Sequence, residues 1–168
     1  MGWTLRELTA EETHGLRRAV SADGHTELVT MHHELDDAAG TWHLGAVDGG
    51  GRVVATSSLY AADCPVRPGA RPGVVLRFMA VDPAVQRCGI GSAVMTEIIR
   101  RLLDTETRLL WADARDSALP FYERFGFEVI EGTRHTPAET GRPHQLIGLD
   151  LGAIAKTSRS HRYPSPDD

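Results

Sequence analysis

Apolar and polar positions along the chain switch repeatedly between a period of two and a period near 3.6. Trp3–Leu8 alternates weakly and reads as an opening strand. Thr9-Ala10-Glu11-Glu12 offers a cap with an early acid, and Leu16 and Val20 fall four apart beyond it, predicting a first helix. Residues 26–38, around Leu28, Met31 and Leu35, are read as a second helix. Residues 41–47 and 52–60 are β-like runs joined by Asp48-Gly49-Gly50-Gly51, a hairpin signal. Residues 61–73 hold three prolines and two glycines and are read as a loop, a candidate wall of a site. Residues 74–81 form an apolar run broken only by Arg77, as expected of a central strand, and Asp82-Pro83 ends it. From Gly89 onward, apolar residues at 90, 94, 98 and 102, and again at 95, 99 and 103, describe an amphipathic helix packed on the sheet. Residues 108–114 are a further strand. A short helix follows, capped by Asp116 or Ser117, with Pro120 in its first turn and Gly126 as its stop. Its apolar face is Ala118, Phe121, Tyr122 and Phe125. Strands at 127–131 and 146–151 complete the pattern, the latter alternating through Ile147, Leu149 and Leu151.

Interleaved strands and helices predict an α/β or α+β domain around one main sheet. A length of 168 residues suits a single domain, assigned to residues 1–155, and the polar, proline-containing stretch 156–168 is expected to pack little. No apolar run approaches the ~20 residues of a membrane span. The start, Met1-Gly2-Trp3-Thr4-Leu5-Arg6-Glu7, lacks the pattern of a secretory signal. Cys64 and Cys88 have no second pair with which to build a zinc site or a disulfide framework, so reduced thiols and a cytoplasmic location are expected. With 18 basic against 23 acidic side chains and a net charge of -5, a nucleic-acid partner is not expected. The arginines are scattered, and only Lys156 is a lysine. The run His32-His33-Glu34-Leu35-Asp36-Asp37 lacks the H-E-x-x-H spacing of a zinc helix and reads as a solvated helix end, so no metal is expected.

Chemistry enters with Gln86-Arg87-Cys88-Gly89-Ile90-Gly91, between the central strand and the amphipathic helix. Amides at a helix start lack intrahelical acceptors, and the helix dipole adds partial positive charge there. Glycines let a phosphate approach that backbone, while Gln86 and Arg87 are candidate side-chain donors. A GxG at a helix start also serves simply as a tight turn. A dinucleotide-binding loop fits worse: seven residues separate Val81 from Gly89, and Val94 stands where the third glycine would be.

Val81-Asp82-Pro83 through Gln86-x-x-Gly89-x-Gly91 resembles the acyl-CoA-binding motif of the GNAT N-acetyltransferase superfamily. The second half of that family's signature stands where it should, as Ala118-Leu119-Pro120-Phe121-Tyr122-Glu123-Arg124-Phe125-Gly126-Phe127. The resemblance is specific over residues 74–131 and compatible elsewhere. It implies a mixed, mostly antiparallel seven-stranded sheet splayed between its fourth and fifth strands and flanked by about four helices. It implies pantetheine pairing with the backbone of Met79, Ala80 and Val81, and pyrophosphate on the amides of Arg87, Cys88, Gly89, Ile90, Gly91 and Ser92.

By the same resemblance, acetyl-CoA is the cosubstrate, and a primary amine of a small molecule or exposed peptide attacks its thioester directly. A backbone N–H of residues 78–81 would hold the oxyanion. Tyr122 matches the family tyrosine that protonates the departing thiolate. Cys88, in the phosphate loop, is read as a tolerated small residue rather than a nucleophile. Two departures stand out. Arg115 replaces the family's common Asn and is assigned to a CoA phosphate or to solvent. Arg77 replaces a Glu that relatives use as a route for the amine proton, and an arginine cannot act as a base. Arg77 is therefore assigned to the acceptor, as is His144, an imidazole suited to proton transfer near neutrality. A non-catalytic CoA-binding module of the same fold is the alternative function. Neither membrane nor nucleic acid is expected as a partner, and a homodimer is left open.

Overall fold

The computed structural model describes residues 2–21, 32–138 and 140–160. In chain order its elements are β1 (Trp3–Leu8), α1 (Ala10–Ser21), β2 (Trp42–Asp48), β3 (Val53–Ala61), β4 (Gly73–Val81), α2 (Ile90–Leu103), β5 (Leu109–Arg115), α3 (Leu119–Glu123), β6 (Glu128–Val129), β7 (His144–Asp150) and α4 (Leu151–Ser160). The seven strands form one sheet in the order β1-β2-β3-β4-β5-β7-β6. The β1–β2, β2–β3, β5–β7 and β6–β7 pairs are antiparallel. β4 and β5 run parallel, paired over Gly73–Val75 against Leu109–Trp111. Among the described residues this is the mixed, mostly antiparallel sheet with four helices that the resemblance implies. No helix among the described residues is long and apolar enough to cross a membrane.

Residue contacts gather into two compact units, Met1–Ala61 with Leu76–Arg101, and Ala62–Val75 with Leu102–Asp168. In the first, Asp48-Gly49-Gly50-Gly51 closes the β2–β3 hairpin, the Asp48 amide donating to the Arg52 carbonyl at 3.0 Å. α1 starts in a capping box. The Glu12 amide donates to Thr9 Oγ1 at 3.2 Å and the Thr9 amide to Glu12 Oε2 at 2.8 Å, each satisfying an otherwise orphaned donor. Hydrogen bonds from Arg6 then hold the Glu12 carboxyl down to about 2. Ile90, Val94, Met95 and Ile98 are the buried stripe of α2, each contributing about 1.5–3 kcal/mol by leaving water. On its outer side Glu97 pairs with Arg100 and Arg101.

In the second unit, the loop before β4 is tied down rather than free. Trp111 Nε1 donates to the Ala62 carbonyl at 2.8 Å, and the Gly73 amide to Asp63 Oδ1 at 2.8 Å. Ile147, Leu149 and Leu151 are buried, as their alternation predicts.

Five expectations need correction. The helix expected at 26–38 falls partly on residues outside those described, and residues 32–41 form successive turns instead. Asp36 donates its amide to the His33 carbonyl at 2.8 Å, and Thr41 to Ala38 at 3.1 Å. The run 32–37 is accordingly not a solvated helix end, because the Asp36 side chain is buried. Neither Asp116 nor Ser117 caps α3. Ala118 holds that position, and the Asp116 carboxylate is spent on Arg134 at 2.7 Å and Gln145 at 3.0 Å. The strand expected at 127–131 shortens to β6, closed by Thr133 Oγ1 donating to the Ile130 carbonyl. Finally, the last strand ends at Asp150, and α4 runs into the stretch read as a tail. Asp150 begins it by accepting from the Ala153 amide at 2.9 Å, a cap the sequence pattern left unread.

Candidate active site

In the first unit, the part of β4 from residue 76 onward leads into the glycine loop. Phe78 sits at φ 53°, a left-handed conformation that a bulky side chain rarely adopts. The kink breaks the strand's alternation: Val75 and Leu76 are both buried, Arg77 is exposed, and Phe78 and Met79 are half-buried. Non-glycine residues held this way cost about 1–3 kcal/mol and gather where function needs them. Ala80 is buried and Val81 half-buried. Arg77 has no ion-pair partner among the described residues.

The loop is braced at its start. Asp82 accepts from the Ala84 amide at 2.9 Å and from Arg52 Nη1 at 2.6 Å. Gln86 Nε2 donates to the Val81 carbonyl at 3.1 Å, so this side chain ties the loop to β4 rather than standing ready for a phosphate. Arg87 (φ 63°) and Gly89 (φ 81°) are both left-handed, turning the chain sharply before α2. The first backbone bond of α2 runs from the Ala93 amide to the Gly89 carbonyl at 3.0 Å. Helical geometry therefore leaves the amides of Gly89, Ile90, Gly91 and Ser92 without an i−4 acceptor, and a nest of this kind binds anions. A Cβ built on Gly89 would meet nothing within 4 Å, so its glycine answers to backbone conformation and to open space beside the loop. Cys88 is exposed there. These features fit the phosphate groups of a CoA ester.

The same unit holds a buried polar cluster that sequence reasoning missed. Arg17 grips Asp36 with two bonds, at 2.8 and 3.0 Å, and also donates to Ser58 Oγ at 2.6 Å. Its guanidinium carbon lies 4.2 Å from the centroid of the Phe78 ring. Tyr60 donates to Asp36 Oδ1 at 2.7 Å, and His43 Nδ1 lies 2.8 Å from Ser58 Oγ. Burial pulls the Asp36 carboxyl upward, but Arg17, the His33 amide and Tyr60 outweigh it and hold the group well below the usual carboxylate range. Burial, then the charge of Arg17, pushes His43 down; burial, then Arg77, does the same to His33. Both rings are thereby kept neutral. The His33 ring stacks on Tyr60 at 4.9 Å and meets Phe78 edge-on at 5.8 Å.

His14, His32 and Asp36 come close enough to suggest a cation, with ligand atoms within 4.8 Å of one another. The chemistry of the donors argues against it. Asp36 already accepts from Arg17 twice, from Tyr60 and from the His33 amide, which fills the lone pairs of both oxygens.

In the second unit, Tyr122 lies on α3, 8% exposed, with its ring against Phe121 at 5.2 Å and Phe127 at 5.4 Å. Burial pushes its phenol up to about 12, so it stays protonated at any working pH. Among the described residues its hydroxyl has no hydrogen-bond partner. Gly126, at φ 86°, ends this helical stretch as expected. Arg115 closes β5, half-buried, directly opposite His144 at the start of β7. His144 is 9% exposed and its Nδ1 lies 2.8 Å from the Arg142 carbonyl. The expected site residues thus fall into two groups. Arg77, Met79, Ala80, Val81 and the glycine loop belong to the first unit, and Arg115, Tyr122 and His144 to the second.

Residues 4–127 match the family model described as "Acetyltransferase (GNAT) family". No curated protein matches the sequence closely. Among solved structures, Escherichia coli ElaA superposes with a TM-score of 0.72 at 15% identity, covering 89% of this chain and 100% of that one. An acyl-CoA N-acyltransferase from Pseudomonas aeruginosa gives 0.68 at 21% identity, covering 88% and 97%. The ribosomal-protein-S18-alanine N-acetyltransferase from Escherichia coli gives 0.67 at 18%, covering 89% and 94%. These likenesses are of fold, and the matched family model covers most of the length. With β4, the left-handed turn at Arg87 and Gly89, and the tyrosine helix all in their expected order, the chain belongs to the GNAT acetyltransferase family.

Proposed function

We propose that the protein is an acetyl-CoA-dependent N-acetyltransferase that moves the acetyl group directly to a primary amine of a small molecule or an exposed peptide. The observation that carries this reading is the loop from Gln86 to Ser92, whose left-handed Arg87 and Gly89 deliver a row of open amides at the start of a 14-residue helix. Such a row suits a pyrophosphate, with the Arg87 guanidinium nearby as an additional cation.

Backbone groups of Met79, Ala80 and Val81 pair with pantetheine in this reading, and an amide of that segment faces the thioester oxygen as it becomes an oxyanion. The kink at Phe78 sets the direction of those amides. Attack by the amine forms a C–N bond, and collapse breaks the C–S bond with the electron pair passing to sulfur. The family resemblance assigns Tyr122 to that sulfur. A phenol near 12 gives up its proton reluctantly to a thiolate whose ordinary conjugate acid is near 8.5, so a hydrogen bond to the developing charge is its main contribution. By the family resemblance Arg115 is assigned to a CoA phosphate, and exposed Arg77 to an anionic group of the acceptor.

The test incubates the protein with acetyl-CoA and a panel of amino acids, polyamines and peptides, following thiol release and the mass of the products. An amine that gains an acetyl group supports the reading. Tight acetyl-CoA binding with no acetylated amine favours instead a CoA-binding module of the same fold.

A further inference from the structure

An amine that attacks a thioester must lose a proton, and the second unit holds a side chain fixed in the state to take it. His135 and His144 are bridged directly: each amide donates to the other's carbonyl, at 2.9 and 2.8 Å. Residues paired in this way present their side chains on one face, and the two rings lie 5.9 Å apart. The β5–β7 register places Asp113 and Arg115 on that face as well, opposite Leu146 and His144.

The partners of each ring fix its protons. His135 Nδ1 lies 3.0 Å from the Thr133 carbonyl and Nε2 lies 3.1 Å from Asp113 Oδ2. Both neighbours are acceptors, so both nitrogens carry hydrogen. The Thr133 carbonyl first, and Asp113 with it, raise this histidine's pKa, in keeping with an imidazolium. His144 is different. Its Nδ1 faces the Arg142 carbonyl, which can only accept, so Nδ1 carries a hydrogen and the neutral ring has its lone pair on Nε2. Among the described residues Nε2 has no hydrogen-bond partner.

We propose that His144 Nε2 is the base that receives the amine proton, and that the His135–Asp113 pair is a positioning element that fixes the His144 ring. This rests on the acetyl-transfer reading and adds to it the group that Arg77 cannot be. The neutral amine nitrogen attacks the carbonyl carbon, forming C–N as the carbonyl π pair moves to oxygen. The nitrogen's proton passes to Nε2. The C–S bond then breaks with its pair to sulfur, whose developing charge the Tyr122 hydroxyl meets with a hydrogen bond, and the proton taken up by His144 passes through water to the thiolate or to solvent. The charged groups beside His144 are Arg115, its register partner on β5, and His135 with Asp113 behind it; Arg142 contributes its backbone carbonyl.

The test uses the full chain, acetyl-CoA and the amine of the panel turned over fastest. The parent is expected to show an acid limb in kcat/KM against pH. His144→Gln should lose about 10²-fold or more in kcat and lose that limb, with acetyl-CoA affinity unchanged. Asp113→Asn should shift the limb with a smaller loss of kcat, and Asp113→Glu should restore it. Nitrogen-15 NMR of the ring nitrogens at pH 7 supplies an independent readout. A neutral His144 protonated at Nδ1 beside a doubly protonated His135 supports the proposal, and an Nε2–H His144 overturns it. An active parent whose His144→Gln variant keeps both kcat and the acid limb overturns this proposal alone. A parent that binds acetyl-CoA and acetylates no amine overturns the transfer reading and this proposal together.

Discussion

Arg17 of α1 and Asp36 of the following turns form a two-pronged ion pair whose side chains are 1% and 0% exposed. Charges so far from water are tolerated only because each finds several partners, and the position of Arg17 against the Phe78 ring links the pair to the kink in β4. Removing one partner leaves the other buried and uncompensated. Arg17→Met should therefore destabilise the protein by about 3–5 kcal/mol, measured by urea unfolding. Adding Asp36→Asn should recover part of that loss. A single variant as stable as the parent would show that the pair does not hold the turn.

Stability should fall on acidification. The unfolded chain protonates His33 and His43 near 6.5, whereas the folded protein resists until lower pH, so the unfolded state binds more protons in that window and the urea midpoint drops as pH falls through it. Asp36, held low in the fold, adds a loss of the same sign below about 3.9. His135 runs the other way, since its raised value favours the fold below 6.5 and that contribution fades as pH rises. It is exposed, so the buried groups should decide the sign. Urea midpoints at pH 7.5 and pH 5.5 check this, and a higher midpoint at pH 5.5 would contradict it.

Gly89→Ala should cost about 1–2 kcal/mol of stability, because a left-handed residue gains a Cβ while meeting no protein atom. Its larger effect should be on acetyl-CoA, whose phosphates the proposed function seats on that backbone. Calorimetry should show weakened binding, and unchanged affinity would remove the loop from the phosphate site.

Tyr122→Phe should keep parent stability within about 0.5 kcal/mol, since the lost hydroxyl has no partner among the described residues. Acetyl-CoA affinity should also persist. The turnover number should drop by roughly 10²-fold, and the loss should shrink for an acyl donor with a more acidic thiol. Parent-like turnover when chemistry is limiting would return Tyr122 to a packing role.

Elements whose residues alternate or recur at helical spacing were legible from the sequence. The buried stripe at 90, 94 and 98, the Thr9–Glu12 cap and the Asp48-Gly49-Gly50-Gly51 hairpin all stand where the pattern puts them. The glycine loop and the tyrosine helix were legible because motif spacing encodes a local backbone shape. What stayed hidden depends on tertiary partners. Arg17 and Asp36 carry charges that periodicity assigns to the surface, and partners such as the His33 amide, Tyr60, Ser58 and each other make their burial tolerable. The left-handed Phe78 has no sequence marker, since nothing about phenylalanine favours that conformation. Asp116 reads as a helix cap, but Arg134 and Gln145, distant in sequence, compete for it. His135 could be noticed only once the β-bridge brought it beside His144.

In the proposed reaction the acyl group passes from CoA to an amine without an acyl-enzyme. The most direct measurement mixes the protein with acetyl-CoA carrying a heavy-isotope acetyl group and the amine panel, then analyses protein and small products by mass spectrometry. The expected result is a heavy-acetylated amine formed in step with free CoA thiol, an unmodified protein mass throughout, and both products formed roughly 10²-fold more slowly by Tyr122→Phe. Thiol release with a stoichiometric acetyl group on the protein, or no acetylated amine at saturating acetyl-CoA, would contradict it.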